Sequence, residues 1–185
     1  MILGITGGTG CGKTTLLKEI EARGGLVLDC DAIYHELLTR DMVLLTAIDH
    51  RFPGVVVDKK LERKKLGAIV FADEQALLDL NAITHGAIKA EIVRRLSENP
   101  KLAAIDAIAL FEGGLAELCH TTVAITAPRD ARVQRLMKRD GISAQYAENR
   151  INAQKSEAWF REMCGYTLYN DGTREEFERK CAEFL

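Results

Sequence analysis

Apolar residues come in short runs separated by stretches of helical spacing. The first run, Ile2–Thr6, enters a glycine-rich turn and then a helical stretch over residues 14–22 that stops at Gly24 and Gly25. Residues 26–28 form a second run ending at Asp29, Cys30 and Asp31. A third, over residues 102–112, also finishes on an acid, Glu112, as buried parallel strands do at their carboxyl ends. Residues 121–127 and 167–169 predict two more strands, and Arg174–Phe184 a closing helix. Five strands alternating with helices predict an α/β fold in three layers, a five-stranded parallel sheet with helices on both faces.

About 70 residues separate the second and third strands, far more than a crossover requires, so this stretch is expected to carry a helical insert. Within it Leu77, Leu80 and Ile83, then Ile88, Ile92 and Leu96, keep mostly helical spacing on either side of His85 and Gly86. A glycine weakens a helix, so the pattern predicts two helices with a break there. A polar, charged stretch over residues 136–158 reads as a small lid. The expected organisation is one domain: core 1–40, 101–135 and 159–185, insert 41–100, lid 136–158.

Composition narrows the classes of function. At 185 residues, 47% hydrophobic, the chain can bury one sizeable core. A formal net charge of -2 gives no global field for nucleic acid or an anionic membrane, so phosphate recognition must be local. No apolar run approaches the roughly 20 residues of a membrane span, and the first residues do not read as a leader. The five cysteines show no ligand or disulfide spacing. A cytoplasmic enzyme with reduced thiols is expected, and no obligate protein partner is implied.

The chemistry is concentrated in Gly7-Gly8-Thr9-Gly10-Cys11-Gly12-Lys13-Thr14, a full GxxxxGK[ST] match between a strand and a helix. Glycines let backbone N–H groups turn toward phosphate oxygens, and the helix N-terminus adds positive potential. Lys13 reaches the β- and γ-phosphates, and the Thr14 hydroxyl ligates Mg²⁺. Gly8 to Thr15 are thus the candidate contacts to ATP. The dinucleotide fingerprint GxGxxG fails, because Lys13 stands where its third glycine belongs. DxxG, NKxD and LSGGQ strings are missing too, which argues against a regulatory GTPase or a transporter ATPase. A thiol in such an anion-binding turn is expected to have a lowered pKa, making Cys11 fast to alkylate unless ATP covers it.

Several segments in order resemble the dephospho-CoA kinase family: Gly4 through Thr15, Asp29-Cys30-Asp31, Leu61-Glu62-Arg63 with Leu66, and Val70-Phe71. Leu80-Asn81-Ala82-Ile83-Thr84-His85 with Ile88, the stretch from Asp106 through Phe111-Glu112, Gln134-Arg135-Leu136 with Arg139, Arg150 and Gln154, and Asn170-Asp171-Gly172 continue the match. The chain departs from that pattern at Pro53, Glu62, Gly86 and Ile108. The resemblance implies a P-loop kinase fold and transfer of the ATP γ-phosphate to the 3′-hydroxyl of dephospho-CoA, giving coenzyme A.

On this reading Asp31 is the catalytic carboxylate that takes or orients the acceptor proton, its alternative role being to cap the helix that follows. Asp29 orients Asp31, holds magnesium-bound water, or is satisfied by backbone N–H groups. Arg132, Arg135 and Arg139 share a helix face, and the resemblance singles out Arg135 and Arg139 as clamps on phosphate charge. Arg63 and His85 are acceptor-side candidates, and Glu112 either supports Mg²⁺ through water or caps the turn that follows it. Trp159 and Tyr166 read as core anchors. The rival functions are another nucleotide- or nucleoside-type small-acceptor kinase and, further off, a non-catalytic nucleotide switch.

Overall fold

The computed structural model describes residues 1–185. They divide into two compact units, one built from residues 1–28 and 100–185 and the other from residues 29–99.

The first unit holds the five-stranded sheet. Its strands are β1 (Ile2–Thr6), β2 (Leu26–Asp29), which edges the sheet and runs into the second unit, β5 (Ala103–Asp106), β6 (Thr121–Thr126) and β7 (Tyr166–Tyr169), in the spatial order β2-β5-β1-β6-β7. β1 pairs in parallel with both β5 and β6, and β6 with β7, so β1 is buried at the centre. Helices α1 (Lys13–Ala22) and α9 (Arg174–Phe184) cover one face. Leu16, Leu17 and Ile20 of α1 meet Phe177 and Cys181 of α9 over Leu3, Ile5, Val123 and Ile125. That is the three-layer α/β parallel sheet the hydrophobic pattern predicts.

One strand ends earlier than the pattern suggests. β5 stops at Asp106, after which the chain turns and the Ala107 N–H closes the ladder onto Ile5 O. The residues that prolong the apolar run, Ala107 and Leu110, are buried in turns rather than in a strand. Glu112 is consequently an exposed turn residue, and the acid at the strand end is Asp106.

Two further helices border this unit, α6 (Arg129–Asp140) and α7 (Ala144–Asn152), packed together through Val133, Leu136, Ala147 and Ile151. α6 continues unbroken past residue 136, where the lid is expected to begin. α8 (Glu157–Met163) follows, with Trp159 edge-on to Phe111 and Phe160.

The second unit begins at Asp29 rather than at the expected 41. The reason is α2 (Cys30–Arg40), whose buried Ile33, Leu37 and Leu38 pack with α3 (Met42–Arg51) and α5 (Glu74–Leu96). A hairpin of β3 (Val56–Val57) and β4 (Lys60–Leu61) and the helix α4 (Arg63–Val70) complete it. Glu91, buried on α5, receives Arg40, Arg94 and Arg95 at 2.8 Å each, so its charge is shared by three guanidinium groups. Those partners hold its carboxyl far below the usual range.

The expected break at His85 and Gly86 does not occur, since α5 is one uninterrupted helix of 23 residues. A single glycine costs a helix only about 1 kcal/mol, and burial of Leu80, Thr84, Ile88 and Ile92 on one face outweighs that. A Cβ at Gly86 would meet nothing within 4 Å. Gly86→Ala should therefore raise stability by about 0.5–1 kcal/mol in urea denaturation. A loss of stability would show that the helix needs the glycine.

Candidate active site

The glycine-rich turn between β1 and α1 is shaped by close approach. Gly7 has φ 136°, and a Cβ there would lie 2.2 Å from the carbonyl oxygen of Ile125, so β6 presses directly on the backbone. α1 then starts with no side-chain cap and no acid in its first turn. As a result no protein acceptor meets the N–H groups of Gly10, Gly12, Lys13 or Thr14. Unsatisfied N–H groups at a helix N-terminus suit an anion, and phosphate oxygens fit this cradle.

The carbonyl side of the same loop is held firmly. Arg135 donates to Gly10 O at 3.2 Å and Cys11 O at 3.4 Å, and to the Asn170 side chain at 3.1 Å. Buried Asn170 itself donates to Cys11 O at 2.9 Å. Arg132 donates to Thr9 O at 2.9 Å, while the Thr9 N–H is taken by Gln154 Oε1 at 2.8 Å. Of the candidate nucleotide contacts, Thr9 and Cys11 thus have their N–H groups engaged within the protein, the latter with Gly8 O, and Thr15 N–H bonds Gly12 O.

Lys13 Nζ lies 3.3 Å from Gly7 O and 3.6 Å from Asp106 Oδ1, with both side chains largely buried. Asp106 is the strand-end acid that the apolar run pointed to but mislocated, since the signal was the first carboxylate after residues 103–105. Exposed Glu112 has no comparable position. The Thr14 hydroxyl and the Asp106 carboxylate are hard oxygen donors of the kind Mg²⁺ takes.

Cys11 departs from expectation. Its thiol is buried at 2% exposure, in the core beneath the loop, and burial raises its pKa against the opposing pull of Arg132, Lys13 and Arg135. Its expected thiolate character is lost because desolvation outweighs the neighbouring cations.

The arginines of α6 divide by direction. Arg132 and Arg135 turn to the loop, whereas Arg139 is exposed and forms a double hydrogen bond with Asp140, which also takes Arg150 at 2.6 Å. The two cations bring the Asp140 carboxyl down to about 2.

In the second unit, Asp29 is the N-cap of α2, accepting from Asp31 N at 2.9 Å and Ala32 N at 3.0 Å. Capping is worth about 1 kcal/mol, and it falls to Asp29, so the exposed Asp31 carboxylate has no hydrogen bond or ion pair. Arg63, the first residue of α4, places its guanidinium 3.4 Å from His35 Nδ1. Burial raises the pKa of neighbouring Tyr34, and the charge of Arg63 lowers it in part. His85 lies half-buried on α5.

Comparison with known proteins follows the same lines. The family model described as dephospho-CoA kinase matches residues 1–176. A dephospho-CoA kinase from Corynebacterium diphtheriae is 33% identical over 188 residues, covering 98% of this chain and 94% of that protein. A crystal structure from Thermus thermophilus superposes with a TM-score of 0.83 at 32% identity, covering 100% of this chain and 96% of that one. The dephospho-CoA kinase from Campylobacter jejuni gives 0.71 at 26% identity, covering 99% and 94%.

Buried Cys11 should react with iodoacetamide at neutral pH only after unfolding, with or without Mg·ATP, because a raised thiol pKa leaves little thiolate. Mass mapping that finds Cys11 alkylated first among the five cysteines, with ATP protecting it, would contradict this.

Proposed function

The chain belongs to the dephospho-CoA kinase family, and on that premise we propose how its own residues transfer the ATP γ-phosphoryl group to the 3′-hydroxyl of dephospho-CoA. The observation that carries the reading is the set of open N–H groups at Gly10, Gly12, Lys13 and Thr14, a cradle for the ATP phosphates. Lys13 leaves Asp106 to meet the β- and γ-phosphate oxygens. Thr14 and Asp106 would hold Mg²⁺, which would supply positive charge toward the phosphates.

The acceptor 3′-oxygen attacks the γ-phosphorus, the bond to the β–γ bridging oxygen breaks, and ADP leaves. The hydroxyl proton passes to Asp31, whose role is supported by its carboxylate being spared from capping by Asp29. Arg135 acts from behind the loop, keeping the cradle in shape. Arg139 is the lid arginine for the transferring group and must exchange Asp140 for phosphate to reach it. Arg63 and His85 are the acceptor-side contacts, with His35 and Tyr34 beside Arg63. No helix is long and apolar enough to cross a membrane. The five free thiols support a reducing compartment, and we place the enzyme in the cytoplasm.

Coupled ADP release with Mg·ATP should show turnover on dephospho-CoA and little on adenosine, AMP or pantetheine. Asp31→Asn should lower kcat by about 10²–10⁴-fold, the usual range for a general base, while ATP binding stays intact. Preference for another acceptor would keep the kinase and discard dephospho-CoA. ATP binding without turnover on any acceptor would favour a nucleotide switch.

A further inference from the structure

Arg132 is 7% exposed and has no carboxylate partner. A buried guanidinium without a counter-ion is costly unless its donors are well used. Its Nε donates to Thr9 O at 2.9 Å and its Nη2 lies 3.5 Å from Gln154 Oε1, which also accepts the Thr9 N–H at 2.8 Å. Thr9 is thus held on both sides, its N–H in the Gly8–Thr9 peptide by Gln154 and its C=O in the Thr9–Gly10 peptide by Arg132. The two side chains come from different places, Arg132 from α6 and Gln154 from the segment that follows α7. A second strut, Arg129 to the Asn152 side chain at 2.7 Å, ties the last residue of α7, two before Gln154, to α6.

Gly8 is what admits this grip. Its backbone has no need of a left-handed conformation, yet a Cβ there would sit 2.3 Å from Arg132 Nη2 and 3.2 Å from Gln154 Oε1. The loop glycine is therefore required by the guanidinium that lies on it.

We propose that Gln154 and Arg132 are positioning residues for ATP: by holding both backbone polar groups of Thr9, they fix the loop ahead of Gly10 and couple the α7–α8 segment to nucleotide binding. Thr9 directly precedes the open N–H groups. If its peptide plane rotates, the Gly10 N–H turns with it, and the cradle loses its aim. The coupling is reciprocal, so a nucleotide that orders the loop also anchors Gln154. The inference rests on ATP binding at this loop and not on the identity of the acceptor.

Gln154 can be changed without opening the core. It borders a cavity of about 330 Å³ that is also lined by exposed Arg129, Asn152 and Lys155, so a shortened side chain leaves space for water. Titration of the full-length protein with a fluorescent ATP analogue needs no acceptor. Gln154→Ala and the near-isosteric Gln154→Leu should each weaken ATP binding about tenfold, the scale of one well-placed hydrogen bond. Gln154→Glu, which retains an acceptor oxygen for Thr9 N–H and gives Arg132 an anion, should recover most of that loss. All three should melt within a few degrees of the parent. Unchanged affinity in Gln154→Ala and Gln154→Leu would overturn the proposal. So would a loss common to all three variants that tracks a large fall in melting temperature, since that marks a general structural role.

Discussion

The phosphate loop has to keep the N–H groups of Gly10, Gly12, Lys13 and Thr14 empty while its carbonyl groups are held. Backbone polar groups left without partners in a partly buried turn are costly, and a turn free to collapse would satisfy them internally. Here Arg135 and Asn170 take the carbonyls of Gly10 and Cys11, and Arg132 takes that of Thr9. The loop is thus fixed from the side opposite its open donors. Preorganisation of this kind is what makes fixed dipoles effective toward phosphate charge, because little reorganisation remains when the ligand arrives.

Much of the first unit serves that arrangement. β1 delivers the loop at the centre of the sheet, and β6 presses on it at Gly7. β5 ends at Asp106, whose carboxylate lies 3.6 Å from Lys13 Nζ. α6 supplies Arg132 and Arg135 from behind, and the residue after β7 is Asn170. The second unit stands on its own packing of α2, α3 and α5, with Glu91 buried within it beneath its three arginines. Its first turn leaves Asp31 exposed because Asp29 performs the cap.

The loop motif, the five strands and the family were legible because each depends on local spacing or on an ordered series of short segments. The misplacements have specific physical origins. Apolar residues continue past Asp106 because Ala107 and Leu110 are themselves buried in the connection that follows, so hydrophobicity alone extends β5 to Glu112. The helix break at Gly86 fails because a glycine's small local cost is outweighed by tertiary burial along α5. Cys11 shows the reverse neglect, in which the anion-binding turn with Lys13 is visible in sequence and the core beneath the loop is not. The grip of Arg132 and Gln154 on Thr9 joins residues separated by 123 and 145 positions. Helical spacing brings Arg132 and Arg135 onto one face, but only the fold shows that they meet carbonyl oxygens.

Residue-resolved amide hydrogen exchange, with and without Mg·ATP, tests the central claim most directly. Without nucleotide, the N–H groups of Gly10, Gly12, Lys13 and Thr14 should exchange quickly and that of Thr9 slowly, and Mg·ATP should protect the first four. Thr9 exchanging as fast as its neighbours in the free protein, or no gain of protection at Gly10, Gly12, Lys13 and Thr14 with Mg·ATP, would contradict a loop held at Thr9 and open at those four donors.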